Sequence, residues 1–207
     1  KSCPPKYKII PHNSFDGTRI IMISVALFLC VLTVVKAGPR APTTDYAEDS
    51  HFYAEQNLSV LIAIEEPLFV KQRNYKTNTT LTCLSATKIG DLGNNQYNYT
   101  LKARSGTINI SYPVTMTANK TGNHTTYNAV IYKEDPDEPE MNHKIVTMND
   151  NHTCFVLVRA KENSTHECFI VVTASSAKQD IPRRCQQVYD FYCPGNSTVL
   201  YNENCTA

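Results

Sequence analysis

Between Leu68 and Thr173 the chain breaks into eight short stretches rich in Thr, Tyr, Val and Ile, separated by clusters of Gly, Asn, Asp and Pro. They cover residues 68–75, 79–87, 96–103, 107–118, 126–133, 144–148, 154–160 and 168–173. β-branched and aromatic residues pack well on a pleated sheet, and Gly, Asn and Pro punctuate turns, so each stretch predicts a strand. Spacing this close leaves no room for crossover helices, which points to an antiparallel meander. Eight such strands close into a barrel wide enough for one small ligand. Before the strands, Tyr46, Phe52, Tyr53, Leu58, Leu61 and Ile62 recur at loosely helical spacing over residues 45–64. After them, Pro182 opens a helical pattern through Cys185, Val188, Tyr189 and Tyr192, with Asp180 as the expected N-cap and Cys193-Pro194-Gly195 as its stop. Residues 198–202 read as a last extended segment.

Residues 20–35 form the longest apolar run of the 207-residue chain, shorter than the ~20 residues that span a bilayer. Arg19 precedes it and Val35-Lys36-Ala37 follows, the arrangement of a signal peptide over residues 22–37 with cleavage after Ala37. Residues 1–21 precede the first methionine, Met22, and read as translated upstream sequence. The mature domain is then 38–207. It loses five basic residues (Lys1, Lys6, Lys8, Arg19, Lys36) and one acidic (Asp16), leaving 15 basic against 18 acidic.

Of eight cysteines, Cys3 and Cys30 fall in the leader, and Cys83, Cys154, Cys168, Cys185, Cys193 and Cys205 remain. An even set with no CxxC spacing in a secreted chain implies disulfides rather than zinc, and spacing alone does not choose the pairing. Ten Asn-X-Ser/Thr sequons support the extracellular reading. Asn57, Asn78, Asn98, Asn109, Asn119, Asn123, Asn151, Asn163 and Asn196 are the expected glycosylation sites, whereas Asn204 carries Cys205 inside its sequon.

Glycans exclude their own side chains from a lumen, and strand alternation turns the neighbours inward. From Asn98, this makes Tyr97, Tyr99 and Leu101 inward-facing. From Asn109, it makes Ile108, Ile110, Tyr112, Val114 and Met116 a second inward row, with Tyr127, Ala129 and Ile131 on the next strand. Several tyrosines offer aromatic faces and hydroxyls to an amphipathic or cationic guest.

The chain has no GxSxG, HExxH, GxGxxG or P-loop pattern and no EF-hand loop, so no enzyme and no cofactor is expected. The six histidines show no paired metal spacing. Twenty basic and 19 acidic residues, without long like-charge blocks, give no footprint for nucleic acid. The acidic run from Glu134 to Glu140 holds two prolines and no glycine, which suits a solvated hairpin loop rather than a calcium site. At a barrel mouth its field would draw cationic ligands.

The C-terminal third carries a specific pattern: Cys154-Phe-Val-Leu-Val, Glu167-Cys-Phe, Asp180-Ile-Pro-Arg-Arg-Cys185 through Cys193, and Val199-Leu-Tyr-Asn-Glu-Asn-Cys205. With Leu-Thr-Cys83-Leu upstream, this resembles the tick salivary lipocalins of the histamine-binding protein family over most of residues 65–207. The resemblance implies an eight-stranded antiparallel lipocalin barrel with a short N-terminal and a C-terminal helix. It also implies disulfides Cys83–Cys205, Cys154–Cys185 and Cys168–Cys193, each worth typically ~2 to 4 kcal/mol.

Family members sequester small host mediators, which implies a secreted binder of a biogenic amine such as histamine or serotonin that serves evasion of host defence. By this resemblance Glu167 is the carboxylate that meets the ammonium, with Tyr75 and Phe169 in the same pocket, and the inward Tyr97, Tyr99 and Tyr112 of the strand alternation, with Phe155, complete the expected ligand-binding residues. Phe155 stands where the family's amine signature has Asp, and the sequon Asn78 replaces an acidic residue. The alternatives are a carrier of leukotriene-like fatty acids held by Arg73, Arg104 or Arg159, and a glycosylated decoy for a host protein.

Overall fold

A computed structural model describes residues 45–159 and 166–205. The expected leader over 1–37, its cleavage point, Cys3, Cys30 and Asn163 lie outside the described residues. Nine strands follow one another in the chain: β1 (Leu68–Arg73), β2 (Thr82–Gly93), β3 (Gln96–Ser105), β4 (Ile108–Asn119), β5 (Ala129–Tyr132), β6 (Met141–Met148), β7 (Cys154–Arg159), β8 (Glu167–Thr173) and β9 (Thr198–Val199). Each of β2 to β7 pairs antiparallel with the next, and β1 pairs with both β8 and β2, so the first eight close into a barrel. The ninth lies beside the far end of β1, with Gln72 opposite Val199 and Arg73 opposite Thr198. The β2–β3 hairpin turns on Asn94 and Asn95, both at positive φ, the backbone that matches the twist of the strands it joins.

The N-terminal segment is not one helix over 45–64. It forms two 3-10 turns, Tyr46–Glu48 and Ser50–Glu55, and a short helix α1 (Leu58–Ile62). Asp49 and Asn57 break it up, because each accepts a hydrogen bond from the backbone N–H two residues on, offering the chain an alternative to continuous helix. Helix α2 (Arg183–Tyr192) occupies the expected place, but Pro182 rather than Asp180 is its N-cap, without a side-chain cap.

The phase of β5 also differs. Ala118 of β4, in phase with the cavity-lining Met116, lies opposite Val130, and Asn119 lies opposite Ala129. Val130 and Tyr132 consequently face the lumen, and Ala129 and Ile131 face away from it, opposite to the expectation; a one-residue slip exchanges the two faces of a strand. Tyr127 packs at the edge of the inner cluster. Ile108 is 66% exposed at the β3–β4 hairpin rather than inside.

Alternation divides the apolar residues into two layers. Val156, Val158, Ile170 and Val172 point outward against Val188, Tyr189 and Tyr192 of α2. Phe155, Leu157, Phe169 and Val171 point into the barrel with Leu58 and Leu61 of α1. Cys154 is bonded to Cys185 and Cys168 to Cys193, which fastens α2 to β7 and β8, and Cys83 to Cys205, which fastens the tail to β2.

Candidate ligand cavity

The barrel encloses a cavity of about 660 Å³. Its deep part is apolar, walled by Leu61, Leu68, Val70, Met116, Val130 and Val171. Its open end is rimmed by Thr77 to Leu81 of the β1–β2 loop and by Asp135, Pro136 and Glu138 of the β5–β6 loop. A volume of this size belongs to ligand sites rather than packing faults, which seldom exceed a water.

Charged groups gather between the apolar floor and the rim, each brought there by a local device. In β1 the register shifts between Val70 and Gln72. Without that bulge Arg73 would face out; with it, Arg73 lies opposite Phe169 and faces the cavity, 8% exposed. Its Nη2 donates to the Thr77 hydroxyl at 2.7 Å, and its Nε is buried without a hydrogen-bond partner. Among the described residues no carboxylate lies within ion-pair distance of it.

Glu134 follows Val130 and Tyr132 in the same phase, so the first residue of the acidic run turns inward. This corrects the reading of the run as wholly solvated: the segment is a hairpin loop, but the Glu134 side chain is only 22% exposed. Its Oε1 accepts from His143 Nε2 at 2.8 Å and from the Tyr75 hydroxyl at 3.4 Å, and its Oε2 lies 3.3 Å from Arg159 Nη1. The Tyr112 hydroxyl donates to the Glu134 carbonyl. Burial pushes the Glu134 carboxyl up, but the hydrogen bond and charge of His143 and the charges of Arg159 and Arg73 outweigh it, and the group is held below the usual carboxylate range. Burial works against the Arg159 charge as well; Glu134, Tyr75 and Glu167 together hold it above its ordinary value. The Tyr75 phenol is pushed up by burial and by Glu134, and that of Tyr112 to about 12 by burial and the acids of the β5–β6 loop. Both hydroxyls therefore remain donors at any physiological pH.

The guanidinium of Arg159 lies over the Tyr75 ring at 4.6 Å, and Arg73 lies 5.3 Å from the same ring. His143 is stacked on Tyr132 with centroids 4.2 Å apart.

Tyr75, Tyr99, Tyr112 and Phe169 line the cavity among the residues singled out in the sequence. Phe155 is fully buried in the inner cluster beneath it, and Tyr97 packs at that cluster's edge. Glu167 sits at the start of β8 opposite Arg159, its Oε2 3.5 Å from Arg159 Nε, and is not among the lining residues. Arg104 points away from the lumen and donates to the Asn204 carbonyl at 3.0 Å. Glu134, Tyr132 and His143 were not anticipated. The signal for them was present in the alternation Val130, Tyr132, Glu134, which becomes readable once β5 is set in its true phase; His143 pairs across from Val130.

Comparisons with known proteins agree with this geometry. A model of the family described as tick histamine binding protein matches residues 46–207. No curated protein matches. Among solved structures, the serotonin complex of AM182 superposes with a TM-score of 0.53 at 9% identity, over 83% of this chain and 97% of that one. Japanin from Rhipicephalus appendiculatus, bound to cholesterol, gives a TM-score of 0.49 at 13% identity, over 69% of this chain and 96% of that one. The family match spans the strands, the cavity and all six disulfide cysteines, and the chain belongs to the tick histamine-binding protein family of lipocalins, a family of non-enzymatic small-ligand binders.

Proposed function

We propose that this chain is a secreted carrier that sequesters a small, largely apolar host mediator with an acidic head, of the leukotriene or fatty-acid kind, and so serves evasion of host defence. One observation carries the choice of ligand. Among the described residues, Arg73 is buried at the cavity wall with an unpartnered Nε and no carboxylate within ion-pair distance, whereas Glu134 in the cavity and Glu167 at the start of β8 are both paired with Arg159. A buried guanidinium with an unused N–H attracts an anionic group, and a charge-assisted contact would form without breaking an existing ion pair. The apolar floor then takes the hydrocarbon body.

Secretion and glycosylation belong to the same proposal. Three disulfides suit an oxidising compartment, and Asn78, Asn109, Asn123, Asn151 and Asn196 are exposed. The domain boundary after Ala37 and the leader before it complete it.

A second reading, a biogenic amine, is favoured by a different observation. Glu134 is a cavity-lining carboxylate held ionised among the hydroxyls of Tyr75 and Tyr112, with Asp135 and Glu138 at the entrance. An ammonium would meet a complementary field at the rim but would have to compete with Arg159 for Glu134. Calorimetric titration of residues 38–207 with a leukotriene, histamine and serotonin separates the two. Leukotriene binding weakened in Arg73→Gln supports the first reading. Amine binding lost in Glu134→Gln or Glu167→Gln replaces it with the second, and silence with all three ligands transfers the function to an external protein partner.

A further inference from the structure

We propose that the sequon at Asn78 is a gate: a glycan there narrows the mouth of the barrel and sets the rate of ligand exchange. The inference rests on the carrier reading above. Among the described sequons, Asn78 is the one whose asparagine itself lines the cavity. Asn78, Thr79 and Thr80 all face its open end and all three are exposed. The other sequons on the barrel wall look outward, as Asn98 does opposite Thr115 and Asn109 opposite Arg104.

The segment that carries Asn78 is held in place. The Thr77 hydroxyl accepts from Arg73 Nη2 at 2.7 Å and donates to the Thr79 carbonyl at 3.1 Å, which pins the loop over the guanidinium. A sugar on Asn78 thus starts from a held segment at the entrance rather than from a free arm. Across the opening stand Asp135, Pro136 and Glu138. An N-linked glycan is bulky, hydrated and larger than the side chains that form this rim. It cannot enter the apolar cavity, so its physical effect is on passage, in and out alike, and not on the bound state.

The distinguishing signature is kinetic. Loss of the glycan should raise the association and dissociation rates of a ligand together, several-fold, with little change in Kd. A direct ligand contact by Asn78 would instead change Kd.

The test uses the secreted protein and its Asn78→Gln, Thr80→Ala and Asn98→Gln variants. Thr80→Ala removes the same sequon while keeping the asparagine, and Asn98→Gln removes a glycan from the outer wall. Glycopeptide mass spectrometry reads occupancy, and stopped-flow fluorescence with cis-parinaric acid reads both rates. Occupied Asn78, with faster exchange in Asn78→Gln and Thr80→Ala but not in Asn98→Gln, is the expected result. An unmodified Asn78 overturns the proposal, as do rates equal in all forms.

If no form takes up the probe, the fatty-acid carrier reading fails by itself and the gate is judged without a ligand. Met116 lines the cavity and is 7% exposed, so its oxidation by chloramine-T reports passage through the mouth. Faster oxidation in Asn78→Gln and Thr80→Ala than in Asn98→Gln supports the gate, and equal rates overturn it.

Discussion

The two faces of β7 and β8 meet opposite surroundings. Outward, Val156, Val158, Ile170 and Val172 are packed against α2, and two disulfides close that seam. Inward, Leu157, Phe169 and Val171 border a cavity of about 660 Å³. A small domain rarely tolerates so large a void, because each unfilled contact forfeits dispersion energy. Here the outer layer supplies the cohesion that the inner layer gives up. The same contrast explains the burial patterns: β7 is buried at every residue, whereas β4, which α2 does not cover, alternates between exposed and half-buried along most of its length.

Breaking the outer seam should have the largest effect. The Cys154→Ala, Cys185→Ala double variant opens a link between residues 31 apart and should lose about 3.5 kcal/mol of stability, read from urea unfolding under non-reducing conditions. The next test is a matched pair of neighbours. Val172→Ala, in the outer layer and 1% exposed, should cost about 2 to 3 kcal/mol, and Val171→Ala, on the cavity wall and 7% exposed, less than about 1 kcal/mol. Equal costs would mean that the inner wall carries as much of the fold as the outer.

Function should show the reverse order. Arg73→Gln should leave the unfolding midpoint nearly unchanged and weaken a leukotriene by about tenfold in calorimetry, the scale of one charge-assisted hydrogen bond. The smallest effect concerns pH. Because Glu134 has a native pKa below its ordinary value, its contribution to stability is complete above the ordinary carboxylate range and is lost as pH falls through the native value. Unfolding of the wild type should thus weaken in acid more steeply than that of Glu134→Gln, and parallel acid limbs would show that Glu134 is not held in its ionised form.

How much of this was legible in the sequence differs from strand to strand. Tyr99, Leu101, Ile110, Tyr112 and Met116 could be assigned to the lumen because β3 and β4 are long, regular and flanked by sequons that mark the outside. Tyr75 and Phe169 were found through the family pattern. In β5 the same reasoning gives the wrong face, because no sequon marks its outside and its phase is fixed by pairing with β4, where Ala118 meets Val130. The N-terminal segment has helical spacing, yet Asx caps at Asp49 and Asn57 divide it.

By itself the sequence determined the class of fold. Period-two alternation and close turn signals are local facts, and they suffice for an antiparallel barrel; that a helix is stapled outside it followed from the family resemblance of the pattern around Cys154, Cys168 and Cys185. Which charges lie inside was decided only by tertiary structure. Arg73 faces the cavity because β1 bulges against β8, and Glu134 because β5 takes its phase from β4 and β6. Glu167 lies beside Arg159 because β7 and β8 pair in that register. A side chain's face follows from its own strand, but the phase of that strand is set by partners far away in the chain.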